Sequence, residues 1–297
     1  MIAKNKFLLL QILVLKLFSL ILSVEVSLAD KINPLVYDRN QIENTQKIAV
    51  FIPGAFSSID IFRRAAYWEE RGYALVYYRL PGLDGLPLSS NLRIKDAAST
   101  IATLVNSYSN RKVALVGYST GGPIALETAV LLKNHASISV AAISSAVRNG
   151  GGIATLTKGA RDISSAALRT KSIDRNVYWE RYWQTLAYGP KAIRDKNFSS
   201  RIKQLAKNNE IVIPSNEMVR SHTRDLTFWV PSDRIKNSRA RIGFFLGLED
   251  PVFSLMQTNT LAKKVGSKHI ITYREDGHLL PLTQPKLFKD ILSFIEK

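Results

Sequence analysis

The chain has 297 residues, of which 46% are hydrophobic and 22% are charged, and it contains no cysteine. This length and composition are enough for a full hydrophobic core and exclude a disordered chain. The lack of cysteine excludes disulfides, a cysteine nucleophile and cysteine-bound metals, while the formal net charge of +17 favours acidic partners.

The first 29 residues have the pattern of an export signal. Two lysines precede an apolar run over residues 7–24, and a small-x-small sequence ends at Ala29. This order predicts a signal peptide cleaved after Ala29 and an exported protein, periplasmic or secreted. The alternative is an uncleaved N-terminal membrane anchor, because the run is nearly long enough to span a bilayer. Lys16 lies within the run and favours the signal peptide, since a lysine at the centre of a membrane helix costs about 2.5–3.5 kcal/mol.

Apolar runs and helix-like patterns then alternate along the chain. Residues 31–46 show no clear periodicity beyond one short edge strand. The runs that follow are continuously apolar, which is typical of strands covered on both faces in a parallel sheet. They predict strands at 47–52, 73–78, 112–118 and 138–143, separated by helices from Ser57 or Ser58 to 71, at 92–108 and at 120–133.

This alternation stops at Arg148, where Asn-Gly-Gly-Gly opens a long segment with helical patterns and no obvious buried strand. It resumes with predicted strands at 241–247 and 269–273 and helices at 254–265 and 284–297. The pattern predicts an α/β fold with a doubly wound, mostly parallel sheet. Its core comprises residues 30–147 and 241–297, and a mostly helical cap, residues 148–240, is inserted between them.

The predicted cap is aromatic and basic. It contains 18 lysines and arginines against 8 acidic residues. This excess favours an anionic substrate or docking onto an anionic membrane or envelope surface, the alternative being an ordinary solvated surface. No nucleic-acid-binding module is recognisable, so we expect no nucleic-acid partner. Aromatic side chains at helical spacing either pack together or line an acyl or aryl pocket, and they are Tyr178, Trp179, Tyr182, Trp183 and Tyr188.

The most informative stretch is residues 112–123, KVALVGYSTGGP. A predicted strand ends at Gly117 and a helix begins just after Ser119, so Ser119 lies in a very tight turn between them. Glycines at 117 and 121 remove the collisions that bulkier residues would cause in that turn. With a strand before it and a helix after it, this G-x-S-x-G sequence resembles the nucleophile elbow of the α/β-hydrolase superfamily.

A serine nucleophile needs a base, and the base needs an orienting acid. Of the four histidines, only His278 lies in a loop beyond the carboxyl end of a predicted strand, where open parallel sheets bind ligands. Its Gly277-His278 sequence resembles the family's G-H loop. Asp250, just past the strand at 241–247, resembles the acid of the family's G-x-x-D turn, with Glu249 as the alternative. The expected triad is Ser119, Asp250 and His278.

The resemblance also implies an oxyanion hole made by two backbone N–H groups. One belongs to Thr120, the residue after the nucleophile, and the other to Ala55, in the loop that the family often writes H-G-x. The histidine of that motif is replaced here by Pro53. A second departure follows the family-like Leu80-Pro81-Gly82, because Leu83 and Asp84 stand where H-G is expected.

These residues together predict acyl transfer to water without a metal or organic cofactor. The first expectation is a serine esterase or lipase-like enzyme acting on a small-molecule or lipid-like carboxylic ester. Amidase, peptidase, thioesterase and acyltransferase activities use the same triad and remain open. So do a lyase, a cofactor-free haloperoxidase and a non-catalytic binding protein that kept the scaffold. A serine at the elbow argues against the dehalogenase and epoxide-hydrolase branches of the superfamily.

Overall fold

The computed structural model describes residues 32–88, 91–146, 175–189 and 212–297. The expected signal peptide and much of the expected cap therefore lie outside the described residues. In the described ranges, no helix is both long enough and apolar enough to cross a membrane. Residues 34–297 form one unit by their internal contacts.

The core is a seven-stranded sheet with the strand order β1-β3-β2-β4-β5-β6-β7. Only the edge strand β1 is antiparallel to its neighbour, and the other pairs are parallel. The predicted α/β fold with a mostly parallel sheet is confirmed. The strands are β1 (Leu35–Tyr37), β2 (Lys47–Ile52), β3 (Tyr73–Tyr78), β4 (Lys112–Tyr118), β5 (Ser137–Ile143), β6 (Arg241–Gly247) and β7 (His269–Tyr273).

Helices cover both faces of this sheet. Those of the core are α1 (Arg39–Asn44), a 3₁₀ helix (Ile59–Arg71), α2 (Ile94–Asn106), α3 (Gly121–Leu131), α7 (Leu255–Val265), α8 (Leu280–Thr283) and α9 (Leu287–Glu296). Between β5 and β6, the described residues form α4 (Arg175–Tyr188), α5 (Asn216–Phe228) and α6 (Asp233–Lys236), and they contain no strand. We call residues 148–240 the insertion; its identity as a separate cap domain stays a prediction.

The strands form where the sequence predicts them because their apolar runs are buried from both sides. Ile48 to Ile52 on β2 and Val140 to Ile143 on β5 are at most 1% exposed. Helix α3, which follows the elbow, is buried over residues 121–129 because it packs at the centre of the fold. The predicted helix before residue 71 is present at Ile59–Arg71 as a 3₁₀ helix, and the Ser58 hydroxyl caps its first turn.

The two ends of the parallel strands carry different chemistry. Ser119 follows the carboxyl end of β4, and Lys112 begins the same strand at the opposite end. At the amino-terminal edge lies a groove of about 1070 Å³ whose lining is strongly basic. We call it the basic groove, and its charged lining residues are Lys47, Lys112, Arg234, Arg239, Arg241, Lys297 and the single acid Glu296.

Candidate active site

Ser119 lies in a strained turn between β4 and α3. Its φ of 49° falls in the left-handed region, which is uncommon for a residue with a side chain. Hydrogen bonds to the Ser119 backbone hold this conformation. The Ser119 N–H donates to the Ile143 carbonyl at 2.8 Å, and the Ser119 carbonyl accepts from the Ser145 hydroxyl at 2.8 Å. The turn thereby presents the Ser119 side chain beyond the carboxyl end of the strand.

Glycines make this turn sterically possible, as the sequence pattern predicts. A Cβ atom on Gly117 would overlap the carbonyl oxygen of Gly121, and a Cβ on Gly121 would overlap the carbonyl oxygen of Ile52. A Cβ on Gly122 would collide with the Ser145 hydroxyl. The elbow is therefore packed directly against the backbone of β2 and against the loop that follows β5.

Three side chains meet at this edge of the sheet. The Ser119 Oγ is 2.9 Å from His278 Nε2, and His278 Nδ1 is 2.8 Å from Asp250 Oδ2. The Asp250 side chain is fully buried, and that of His278 is 6% exposed. A carboxylate only accepts hydrogen bonds, so His278 carries its proton on Nδ1 and leaves Nε2 to accept from Ser119. Asp250, and not Glu249, is the carboxylate that contacts the imidazole.

The orientation of Asp250 is fixed by its second oxygen. Asp250 Oδ1 accepts hydrogen bonds from the backbone N–H groups of Val252 at 2.7 Å and Phe253 at 2.9 Å. The rings of Phe253 and Tyr118 flank the His278 imidazole, with centroids at 5.7 and 5.4 Å. Both the carboxylate and the imidazole are thus held in a single arrangement.

The two candidate oxyanion donors share a cavity with Ser119 and His278. Ala55 and Thr120 both line this cavity, and within the described residues neither backbone N–H donates a hydrogen bond. Both N–H groups are therefore available to an oxygen atom bound beside Ser119. The catalytic roles of these residues stay predictions.

The loop that carries Ala55, residues 53–57, is held by distant parts of the chain. Phe56 has a φ of 64°, and its N–H donates to His222 Nδ1 on α5 at 3.2 Å. Its carbonyl accepts from Val212 N–H at 3.1 Å. The departure at Asp84 also has a structural reason, because the Asp84 carboxylate accepts from Ser58 Oγ at 2.5 Å and caps the start of the 3₁₀ helix.

The insertion also contacts the histidine loop. The N–H groups of Gly277 and His278 donate to the carbonyls of Ala187 and Leu186, at 2.9 and 2.5 Å. A Cβ on Gly277 would overlap the Leu186 carbonyl oxygen, so this close approach requires glycine. The last turn of α4 therefore supports the loop that positions His278.

The cavity beside Ser119 is small and mostly apolar. Its volume is about 60 Å³, enough for a group the size of a few water molecules. Tyr182 and Trp183 line it and also pack on each other, with ring centroids 5.4 Å apart. The expected packing is therefore observed for these two residues, and their role in an acyl or aryl pocket stays a prediction. The side chain of Tyr178 lies outside the described residues.

The remaining histidines have other surroundings. His135 and His269 lie away from Ser119, the first after α3 and the second at the start of β7. His222 was expected only as part of the cap, and no sequence signal indicated its contact with the 53–57 loop. Over the described ranges, no three His, Asp or Glu side chains converge as metal ligands.

Comparisons with known proteins agree with this architecture. A family model described as "Alpha/beta hydrolase family" matches residues 49–291. A search of curated proteins found no significant match. Among solved structures, the chain is similar to an esterase (EaEST) from Exiguobacterium antarcticum, with 13% identity, a TM-score of 0.64, and coverage of 89% of this chain and 95% of that chain.

Two further structures have the same fold. The enol-lactonase from Burkholderia xenovorans is 11% identical, with a TM-score of 0.66 over 89% of this chain and 96% of that chain. A lipase-esterase related protein from Clostridium acetobutylicum is 16% identical, with a TM-score of 0.62 over 88% and 98%. At these identities the similarity supports the fold alone. Because the family model covers most of the 297 residues, the chain belongs to the alpha/beta hydrolase family.

Proposed function

We propose that this protein is a serine hydrolase that cleaves a carboxylic ester through an acyl-enzyme intermediate. The observation that carries the proposal is the pair of hydrogen bonds made by His278, at 2.9 Å to Ser119 Oγ and 2.8 Å to Asp250 Oδ2. A serine hydroxyl becomes a useful nucleophile only beside a base that a third group orients. Membership of the alpha/beta hydrolase family supports hydrolysis in general.

In the first half of the reaction, Ser119 Oγ attacks the ester carbonyl carbon while His278 Nε2 takes the hydroxyl proton. Asp250 keeps the imidazole in the required tautomer and stabilises the imidazolium that forms. The carbonyl oxygen becomes an oxyanion and accepts hydrogen bonds from the N–H groups of Ala55 and Thr120. The C–O bond to the leaving group then breaks, and His278 returns the proton to the departing alcohol.

In the second half, water takes the place of the alcohol. His278 removes a proton from the water as its oxygen attacks the acyl carbon, and a second oxyanion forms against the same two N–H groups. Collapse of this intermediate breaks the bond to Ser119 Oγ, which recovers its proton from His278. The products are a carboxylic acid and an alcohol.

The surroundings of Ser119 support an ester with a small apolar acyl group. Leu186, Leu226 and Val252 contribute aliphatic surface to a cavity of about 60 Å³. Two similar structures are named an esterase and an enol-lactonase, and at 13% and 11% identity these names support an ester substrate but not the size of its acyl group. The competing outcomes are amide, peptide or thioester substrates, acyl transfer, lyase or haloperoxidase chemistry, and simple binding.

The test combines an active-site probe with an ester panel. A fluorophosphonate should label the wild-type protein and fail to label Ser119→Ala. Hydrolysis of p-nitrophenyl esters should be fastest for short acyl chains. Asp250→Asn should keep the fold, because Asn can still accept from Val252 N–H, yet lower kcat by about 10⁴-fold by favouring the wrong tautomer of His278.

Glu249→Gln is the matched control for Asp250→Asn, since it removes the neighbouring carboxylate while leaving the His278 contact intact. We expect it to stay within a few-fold of the wild type. Labelling that persists in Ser119→Ala, or a wild type that is never labelled, would contradict the catalytic proposal. If only amides or thioesters react, the proposed triad stands and the proposed ester substrate is wrong.

We also propose that the exported protein docks onto an anionic membrane or envelope surface. The net charge is +17 for the full chain and +15 without residues 1–29, which hold three lysines and one glutamate; this charge and the basic groove support docking, and the groove lies at the edge of the sheet opposite Ser119. Electrostatic docking weakens as salt shortens the Debye length from about 10 Å at 0.1 M to about 3 Å at 1 M. Binding to phosphatidylglycerol vesicles should fall steeply over this range, and binding to phosphatidylcholine vesicles should be weak throughout.

Two double variants localise this effect. Lys112→Glu with Arg239→Glu reverses two charges in the groove, whereas Lys263→Glu with Lys264→Glu makes the same change in net charge on α7. The first pair should weaken vesicle binding more than the second. A flat salt profile would refute surface docking, and equal losses in the two pairs would refute the groove as its location.

A further inference from the structure

His222 is a buried histidine with no part in the proposed reaction. It lies on α5 and is 1% exposed. Both ring nitrogens bond to the backbone of core loops. His222 Nδ1 accepts from the Phe56 N–H at 3.2 Å, and Nε2 lies 2.8 Å from the Pro81 carbonyl oxygen. Because an N–H only donates and a carbonyl only accepts, the neutral ring with its proton on Nε2 satisfies both partners.

The segment that His222 contacts has the form of a tight turn. The Gly54 carbonyl accepts from Ser57 N–H at 3.1 Å, so Ala55 and Phe56 are the two central residues. Phe56, the second of them, has a φ of 64°, which is the region that a type II turn requires and that usually selects glycine or asparagine. A phenylalanine stays in this conformation only when its surroundings hold it there.

The insertion supplies that support. The His222 ring stacks on the Phe56 ring, with centroids 5.6 Å apart and an angle of 12° between the planes. His222 also accepts a hydrogen bond from the Phe56 N–H, which belongs to the central peptide of the turn, and the Val212 N–H donates to the Phe56 carbonyl. Rotation of that central peptide would turn the Phe56 N–H away from His222 and would relieve the positive φ. The bond to His222 therefore opposes the rotation.

The bond between the Phe56 N–H and His222 Nδ1 also determines which N–H of the turn is left for an oxyanion. The Phe56 N–H is engaged by His222, so it does not serve an oxyanion. The Ala55 N–H, one peptide earlier, has no hydrogen-bond partner in the described part of the chain, and Ala55 lines the cavity with Ser119. A rotated central peptide would reverse the Ala55 carbonyl, and the changed backbone torsion at Ala55 would shift the loop that carries its N–H.

We infer that His222 is a positioning residue that holds the turn at residues 54–57 so that the Ala55 N–H is directed to the oxyanion. This role rests on the proposed function, because it requires an oxyanion to form beside Ser119. His222 does not touch the substrate. It acts through Phe56, and it couples the insertion to one donor of the oxyanion hole.

Two isosteric substitutions separate the two bonds of His222. In His222→Asn, the amide oxygen can occupy the position of Nδ1 and accept from the Phe56 N–H. In His222→Gln, the longer side chain can reach the position of Nε2 and donate to the Pro81 carbonyl, but it loses the Phe56 contact. Ser221→Ala is the matched control, because it removes a bond of the same helix, 3.2 Å from Leu92 N–H, that does not involve the 53–57 loop.

The readouts are the rate of fluorophosphonate labelling, kcat and KM for a short-chain ester, and hydrogen exchange of the Phe56 amide. We expect His222→Gln to lower kcat and the labelling rate by about 10- to 100-fold, with KM changed less than about threefold, since a misplaced donor weakens mainly transition-state binding. The Phe56 amide should exchange faster. His222→Asn should recover most of the rate and the protection, and Ser221→Ala should resemble the wild type.

The outcomes distinguish this inference from the function on which it rests. A wild type that is not labelled would overturn the proposed function and, with it, the role of Ala55 in catalysis. A wild type that is labelled normally, with His222→Gln and Ser221→Ala equally fast, would overturn the positioning role alone. Equal losses in His222→Asn and His222→Gln, with matching falls in thermal stability, would reduce His222 to a structural residue.

Discussion

The two candidate oxyanion donors reach the same cavity from differently built supports. Thr120 follows Ser119 in the elbow, where Gly121 packs against the backbone of β2 and the turn is bonded to Ile143 and Ser145. Ala55 lies in a turn whose strained residue, Phe56, depends on His222 and Val212 of the insertion. The Thr120 N–H is held by the packing of the elbow on the sheet. The Ala55 N–H is held by contacts from the insertion.

This difference suggests how such a fold adjusts its activity. The elbow has little freedom, because a Cβ on Gly117 would meet the main chain of Gly121 and a Cβ on Gly121 would meet the main chain of Ile52 on β2. The 53–57 loop can change through side chains that lie in the insertion and leave the sheet untouched. Substitutions in the insertion should therefore alter catalysis without altering the fold, whereas substitutions in the elbow should alter the fold first.

The largest expected effect comes from the elbow. In Gly121→Ala, the new Cβ would overlap the Ile52 carbonyl oxygen, which belongs to a central strand and has no room to move. We expect a loss of at least about 3 kcal/mol in the free energy of unfolding, or no folded protein at all, because overpacking against the main chain has no cheap relaxation. Chemical denaturation followed by circular dichroism measures this.

Gly72→Ala is the control for Gly121→Ala. Gly72 has a φ of 78°, but a Cβ there would meet nothing within 4 Å. Only the backbone cost of a left-handed alanine applies, about 1–2 kcal/mol. Equal destabilisation of the two variants would show that the close packing of Gly121 on β2 does not stabilise the elbow. The contrast between the elbow and the 53–57 loop would then fail.

The elbow was predictable because its signals are local. Gly117 and Gly121 flank Ser119 in the sequence, and the turn needs them for contacts between residues that are near each other or in adjacent strands. The strands were predictable for a related reason, since burial on both faces leaves a continuous apolar run. His278 and Asp250 could be predicted to lie near Ser119 because each follows the carboxyl end of a strand in one parallel sheet.

The support of the 53–57 loop could not be predicted in this way. His222 contacts Phe56 and Pro81, which lie 166 and 141 positions earlier in the chain, and a single histidine on a helix has no periodic signature. The positive φ of Phe56 was equally hidden, because glycine or asparagine is the usual sign of such a turn. The short helices α1 and α8 were missed since four to six residues are too few to show a helical period.

The smallest expected effect is a difference in how the two supports respond to acid. Ile143, Ser145 and Ile52, which hold the elbow, do not titrate. Burial lowers the pKa of His222, while its bond to Pro81 partly opposes this, and no charged side chain in the described ranges contributes to the shift. The neutral ring is the form that accepts from Phe56, so acid should weaken only the support of the 53–57 loop.

The direction follows from the proton balance. The unfolded chain protonates His222 near its ordinary pKa of about 6.5, and the folded protein does so at a lower pH. The stabilisation by His222 is therefore complete above about pH 6.5 and is lost as the pH falls through the folded pKa. The free energy of unfolding of the wild type minus that of His222→Asn should shrink between about pH 7.5 and 5, by up to about 1.4 kcal/mol for each unit of pKa difference.

Comparing these two proteins isolates His222 from the other groups that titrate in the same range. Burial also lowers the pKa of His135, but His135 is present in both proteins and cancels in the difference. Parallel stability curves would mean that His222 does not titrate with folding, and the 53–57 loop would then be as insensitive to acid as the elbow.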